Sequence, residues 1–400
     1  MKTLFHSYIT TFKGLSREVW MLTLVTLINR AGTMVIPFVT IYMKEDLHFT
    51  YTETGVVMLC FGLGSVLGGF SGGFLANRIG HYRVMVSSLL LTGAAFVVLQ
   101  YLNTFLELCI GIFITMLIAD TFRPAMFVAV NAYSKPKNKT RSVTLIRLAI
   151  NLGFAAGPAV AGFAIETLGY GSLFWIDGIT CAIAGSLLLS VLNPKKSIVL
   201  DEATNPNPKS VWSDFTTWIF LLAMIIFGFV FLQYFSTVPL FYREVHKLSE
   251  LEIGILMGLN GGLIFLLEMP LVKWLDSSKW TKPTLMMMGA GLTGFSIIVL
   301  NMGIFALVLL IGILFMTVGE MVAFPYSNSW VMERAKRGRM GSYMSMYTMA
   351  FGFSHVFGHF TGMRLIEKFG YQATWTVMGS LMLFCMALLF WVRRRDQQGK

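Results

Sequence analysis

Charge is scarce in this chain: 13% of its 400 residues are Asp, Glu, Lys or Arg, against 56% hydrophobic residues and a mean hydropathy of +0.69. A soluble surface cannot be covered with so few charges, so the composition is that of a polytopic membrane protein. Cysteine is scarcer still. Cys60, Cys109, Cys181 and Cys385 fall inside apolar stretches without metal-ligand spacing, which reads as packing and argues against disulfides and a metal site. No Gly-rich loop ends in Lys-Ser or Lys-Thr, which argues against ATP-driven pumping, and no polar stretch is long enough for a soluble catalytic domain. The chain does not read as an enzyme, and nothing in it calls for a cofactor.

Long apolar runs are what it has. Crossing a hydrocarbon core takes at least ~18 apolar residues, and twelve stretches qualify: 18–43, 52–76, 84–101, 105–133, 142–168, 172–192, 214–243, 251–276, 284–301, 304–333, 341–366 and 372–392. Helices are expected, because backbone groups in lipid must satisfy one another and these runs are far longer than barrel strands. Most of the 31 basic residues fall on one side if both termini are cytoplasmic, the positive-inside pattern. The net charge of +11 then reflects topology and anionic membrane lipids, not nucleic acid. Residues 1–14 read either as a short amphipathic helix on the inner surface or as a frayed tail. Residues 193–213, with Pro194, Pro206 and Pro208, read as a cytoplasmic linker between bundles 1–192 and 214–400.

The halves repeat at an offset of about 200. Asp120-Thr-Phe-Arg-Pro124 is answered by Glu320-Met-Val-Ala-Phe-Pro325, Pro37 and Tyr42 by Pro239 and Tyr242, and Glu166-Thr-Leu-Gly-Tyr170 by Glu367-Lys-Phe-Gly-Tyr371. Such repetition marks secondary transporters with a site between related halves.

Two motifs carry a family resemblance. Gly73-Phe-Leu-Ala-Asn77-Arg78-Ile-Gly80-His-Tyr-Arg83, between the second and third spans, resembles the cytoplasmic loop signature of the major facilitator superfamily, with Asn77 where that family has an acid. A weaker second copy ends in Asp276. In the fifth span, Gly153, Gly157, Pro158 and Gly162 resemble the motif of that superfamily's twelve-helix drug/proton antiporters. The resemblance implies an all-α membrane protein of two pseudo-symmetric six-helix bundles, a gate at the loop motif, and a central cavity lined by spans one, four, seven and ten.

Those spans hold the costly residues: Asn29 and Arg30, Asp120 and Arg123, Gln233 and Tyr234, and Glu320. A charge at the centre of a membrane helix costs about 2.5–3.5 kcal/mol on insertion scales, so four of them call for a use. Desolvation and a nearby guanidinium act on a carboxylate in opposite senses, so a cavity that opens and closes can load and unload a proton. Glu320, with no basic residue in its span before Arg334, is the first choice for that role and Asp120 the second. Asp120 and Arg123, three apart, also allow a static ion pair. Arg30 either binds an anionic substrate group or holds an acid ionised. Glu268 reads as a pair with Lys273 or a second titrating group, and Asp177 as solvated or paired. Arg147 and Asn151 share a face near the inner end of span five, suited to helix-to-helix bonding, gating or substrate contact. His355 and His359, four apart, read first as hydrogen-bonded core histidines, and otherwise as a proton relay or metal ligands.

The resulting expectation is a monomeric, proton-coupled exporter of amphipathic or drug-like small molecules in a bacterial inner membrane. The alternatives are a proton-coupled transporter of one metabolite, lipid or organic anion, and a transport-inactive sensor or assembly partner.

Overall fold

The computed structural model describes residues 14–32, 35–135, 138–192, 211–303, 306–335 and 340–398. The expected amphipathic tail (1–13 of it) and most of the expected linker (193–210) lie outside the described residues. Every regular element among the described residues is helical: α1 (Arg17–Ala31), α2 (Val35–Glu45), α3 (Tyr51–Ile79), α4 (His81–Leu99), α5 (Phe105–Ala119), α6 (Phe122–Tyr133), α7 (Lys139–Leu168), α8 (Gly171–Val191), α9 (Phe215–Phe231), α10 (Thr237–Glu244), α11 (Glu250–Asp276), α12 (Lys282–Val299), α13 (Ala306–Ala335) and α14 (Met340–Gln398), with 3-10 turns at Val211–Ser213 and Leu232–Phe235. Among the described residues, ten stretches are long and apolar enough to cross a membrane. The last of them is interrupted at Gly370, whose φ of 74° is non-helical. Gly169, which separates α7 from α8, has a φ of 79°. The repeated Glu-x-x-Gly-Tyr sequence is therefore a repeated helix stop, with glycine in the left-handed half of backbone space at both copies.

Three expected spans are broken rather than continuous: the first into α1 and α2, the fourth into α5 and α6, and the seventh into α9, a 3-10 turn and α10. Pro37, Pro124 and Pro239 each occupy the third residue of the second piece. The first four N–H groups of a helix have no intrahelical partner, so a proline there costs nothing inside its own helix but cannot carry the preceding one onward. Pro325, in contrast, lies inside the unbroken α13.

Two compact units form, one from residues 1–35, 63–199 and 250–262, the other from 36–62, 200–249 and 263–400. Each takes one end of α3 and one of α11, the changeovers falling after Gly62 and Gly262. In the first unit α1 packs on α7 and α8, and α4 on α5, α6 and α8. Gly64, Gly68 and Gly72 of α3 form a seam on the fourth span: a Cβ at these positions would stand 2.4 Å from the Phe113 carbonyl oxygen, 2.5 Å from that of Leu117 and 2.6 Å from the Thr121 Cα. In the second unit the largest packings are α12 on α13, α9 on α14 and α12 on α14.

Candidate transport site

In the first unit the broken fourth span sets Asp120 in a helix end. Asp120 caps α5, its N–H donating to the Met116 carbonyl at 3.0 Å. Its own carbonyl cannot receive the next helical bond, because residue 124 is proline and has no N–H. The carboxylate is half-buried, and among the described residues it forms no ion pair with Arg123, which is exposed. Arg30, in the last turn of α1, faces Arg123, Asp120 and Cys181 electrostatically. Its guanidinium carbon lies 5.9 Å from the Phe154 ring centre, and its Nε is buried without a hydrogen-bond partner. Asn29, beside it, donates to Cys181 Sγ at 3.5 Å.

The break in the first span is held by α8. Asp177 is fully buried, not solvated, and accepts the Val35 N–H at 3.1 Å, so its carboxylate caps α2. A Cβ on Gly32 would fall 1.9 Å from Thr180 Oγ1, which brings α8 against the end of α1.

The small-residue motif of α7 is a two-sided seat within this unit. Toward α1, a Cβ at Gly153 would lie 2.6 Å from Arg30 Cβ, and one at Gly157 3.1 Å from the Ala31 carbonyl oxygen. Toward α11, a Cβ at Gly162 would lie 2.3 Å from the Glu250 carbonyl oxygen, and one at Gly254 2.2 Å from that of Pro158. The motif therefore fixes the backbone that carries Arg30 and receives the start of α11. Arg147 is exposed and Asn151 half-buried on the same helix, four residues apart.

In the second unit the seventh span breaks around Gln233. This side chain is fully buried, donating to the carbonyls of Phe229 at 2.9 Å and Gly358 at 3.0 Å and accepting from Thr237 Oγ1 at 2.8 Å. It ties the break to α14, and both amide hydrogens are used there. Ser236 continues the tie: His359 Nδ1 is 2.9 Å from Ser236 Oγ, and Thr40 donates to the Ser236 carbonyl at 3.0 Å. Tyr234 is buried, its hydroxyl 3.5 Å from where a Gly312 Cβ would stand. Glu320 is half-buried in α13, Glu268 is buried in α11, and the His355 and His359 ring centres are 5.9 Å apart. No group of three potential metal ligands occurs among the described residues.

At the loop motif, Gly80 separates α3 from α4 with φ 92°, Arg78 and Arg83 are exposed, and a Gly73 Cβ would meet open space. The Asn77 side chain lies outside the described residues. His81 is buried edge-on against Tyr133 at 5.8 Å, a packing residue where the family signature is basic. In the second copy, Asp276 accepts from the Tyr326 hydroxyl at 2.8 Å, a partner that sequence reasoning missed.

A second cluster the sequence did not disclose gathers at the end of α10. Tyr51 and Tyr371 both donate to Glu244 Oε2, the latter at 2.7 Å, Thr52 donates to Glu367, and Arg243 Nε meets Glu45 Oε1 at 2.6 Å. His246 stacks edge-on to Phe241 at 5.0 Å, where burial lowers its pKa from the ordinary histidine value.

A sequence model of the Major Facilitator Superfamily matches residues 21–359. The chain belongs to that superfamily. Superfamily members are transporters, not enzymes. The chain is 23% identical over 386 residues to the uncharacterised MFS-type transporter YttB of Bacillus subtilis, covering 93% of this chain and 94% of that one. It is 19% identical to a Na(+), Li(+), K(+)/H(+) antiporter of Planococcus maritimus (91% and 92% covered) and 26% identical, over 58% of this chain and 59% of that one, to the quinolone resistance protein NorA of Staphylococcus aureus. Among solved structures, a peptide transporter of the POT family in complex with sulfate shares the fold, with a TM-score of 0.79, 15% identity and 96% of each chain covered. This superfamily chain is thus an all-helical, multi-pass membrane transporter of small molecules.

Proposed function

We propose that the chain is a twelve-helix, proton-coupled exporter of amphipathic or drug-like small molecules, working as a monomer by alternating access in a bacterial cytoplasmic membrane with both termini inside. Twelve follows if the interrupted first span and the two parts of α14 divided at Gly370 each count as crossings beside the rest. The observation that carries proton coupling is Asp120: a mid-span carboxylate at a helix break, without an ion pair among the described residues and in electrostatic reach of Arg30. Glu320, at the matching position of the other repeat, is the second proton carrier. Support for export comes from the antiporter-like motif seated on Arg30 and Ala31, and from the names of two relatives, one an ion/proton antiporter and one a resistance protein. Gln233 acts as a tie within the second unit, leaving Asn29, Arg30, Tyr234, Arg147, Asn151, His355 and Glu320 as the candidate substrate contacts.

The test is purified protein in liposomes loaded with a pH dye and challenged with a panel of amphipathic cations, neutral compounds and organic anions. Compound-driven proton movement, abolished by Asp120→Asn or Glu320→Gln, is expected; transport unchanged in both variants rules out proton coupling through these groups. A response confined to one anionic compound would instead select a dedicated anion transporter, a reading that the two arginines around Asp120 favour.

A further inference from the structure

We propose that the second unit binds an anionic phospholipid at the end of α14, where three consecutive arginines meet an aromatic rim. Arg393, Arg394 and Arg395 lie in the last turns of α14, and none of them forms an ion pair among the described residues. Two are laid on rings of their own helix, Arg394 at 4.8 Å from the Phe390 centre and Arg395 at 5.0 Å from that of Trp391. The acids nearby are already engaged. Asp396 accepts from Arg334 at 3.0 Å and from the Trp330 indole N–H at 2.6 Å, while Asp214 holds Arg334 with both oxygens. Four arginines therefore stand against two aspartates, and both aspartates are spent on Arg334.

The rings continue past the arginines. Trp391 meets Phe215 edge-on at 5.6 Å, and Trp212 and Trp218 are 5.5 Å apart around the same start of α9. Trp212 is 68% and Phe215 63% exposed. Exposed tryptophan and phenylalanine at the end of a membrane span mark the boundary between hydrocarbon and water, and uncompensated arginines at that depth meet the phosphate layer. A guanidinium presents a planar fork of donors that matches phosphate oxygens. Free phosphate would satisfy the charge but leave the rings bare; a phospholipid answers both, its phosphate on Arg394 and Arg395 and its acyl chains against Trp212, Phe215 and Trp391. A bound headgroup also neutralises cations that would otherwise compete with Arg334 for Asp214 and Asp396, so occupancy should stabilise the unit.

Full-length protein in detergent is titrated with phosphatidylglycerol, phosphatidylcholine or inorganic phosphate, reading retained lipid by native mass spectrometry and the unfolding midpoint. Phosphatidylglycerol should be retained in preference and raise the midpoint, and phosphate alone should not. The double variant R394Q/R395Q should lose about tenfold of that preference, while R394K/R395K keeps most of it. On the wild type alone, phosphatidylglycerol brominated on its acyl chains should quench tryptophan fluorescence more than brominated phosphatidylcholine, a readout that does not depend on any variant folding. Equal quenching by the two lipids, an undiminished preference in R394Q/R395Q, or equal stabilisation by inorganic phosphate would each overturn the assignment. None of these readouts involves transport, so they fail or succeed apart from the transporter reading.

Discussion

The guanidinium of Arg334 takes both oxygens of Asp214, Nε on one and Nη2 on the other, each at 2.8 Å. The pair closes the end of α13 onto the N-cap of α9, where Asp214 also accepts the Thr217 N–H at 3.3 Å, and the Tyr343 hydroxyl reaches the same carboxylate at 3.2 Å. Both side chains are largely buried, so the geometry is that of a bidentate, charge-assisted pair and not of a loose surface contact.

Burial alone would push the Asp214 carboxyl up, but Arg334 outweighs it and holds the pKa at about 2, below the ordinary 3.8. A depressed carboxylate pKa contributes stability that is present above the ordinary value and lost as the pH falls through the folded one. The shift corresponds to about 2 kcal/mol at neutral pH. Asp214→Asn should lower the unfolding midpoint at neutral pH, and the gap from wild type should close as the pH is taken from 4 toward 2. A gap that stays constant over that range would show that the pair contributes through packing instead of charge.

Glu244 takes two phenols on one oxygen, from Tyr51 and Tyr371. Glu244→Gln replaces an ionised acceptor with a neutral one and should cost about 1–2 kcal/mol. Hydrogen exchange should quicken in the peptides spanning 45–51 and 244–250. His246, beside this cluster, adds a pH dependence: a histidine whose folded pKa is lowered resists protonation, so stability is complete above the ordinary 6.5 and declines as the pH falls below it. The same peptides should therefore exchange faster in mild acid, and His246→Phe should remove that part of the response.

The apolar runs, the helix stops at Gly169 and Gly370 and the small-residue seat in α7 were legible because each is a local property of the chain: length, φ preference and side-chain size. The three breaks were half legible. Pro37, Pro124 and Pro239 were visible, but a membrane proline also fits an unbroken helix, as Pro325 does in α13, and only the local packing separates the cases. Partner choice was not legible at all. Asp214 reads only as the first residue of the seventh expected span, Tyr371 only as part of a repeat and Asp177 as solvated or paired, because the partners of these residues and of Tyr326 lie 50 to 142 positions away, and in a membrane every helix is apolar enough to hide a single tie. The Gly64, Gly68 and Gly72 seam has a four-residue spacing that the sequence displays, but the spacing alone does not say which helix it faces.

That seam gives a sharp contrast between adjacent glycines. A Cβ at Gly72 would meet Thr121 Cα and carbonyl oxygen at 2.6 Å, backbone atoms that cannot swing away, whereas a Cβ at Gly73 would meet nothing within 4 Å. Gly72→Ala should cost about 1–3 kcal/mol by overpacking and lower the yield of folded protein, and Gly73→Ala should leave the unfolding midpoint unchanged. If transport falls in Gly73→Ala while the midpoint holds, the residue acts in gating and not in packing.

Pro124 keeps the fourth span broken at Asp120. Pro124→Ala restores an N–H that can reach the Asp120 carbonyl, letting α5 run on into α6 and removing a helix interruption worth up to about 3 kcal/mol. If the break exists to set the Asp120 carboxylate at a helix end for proton exchange, the variant should unfold at a higher temperature and transport more slowly in the pH-dye assay, a trade of activity for stability. Higher stability with undiminished proton movement would mean that the break serves only the close approach of Gly72 to Thr121. Lower stability would mean that the surrounding helices are fitted to the broken shape and cannot accept a straight one.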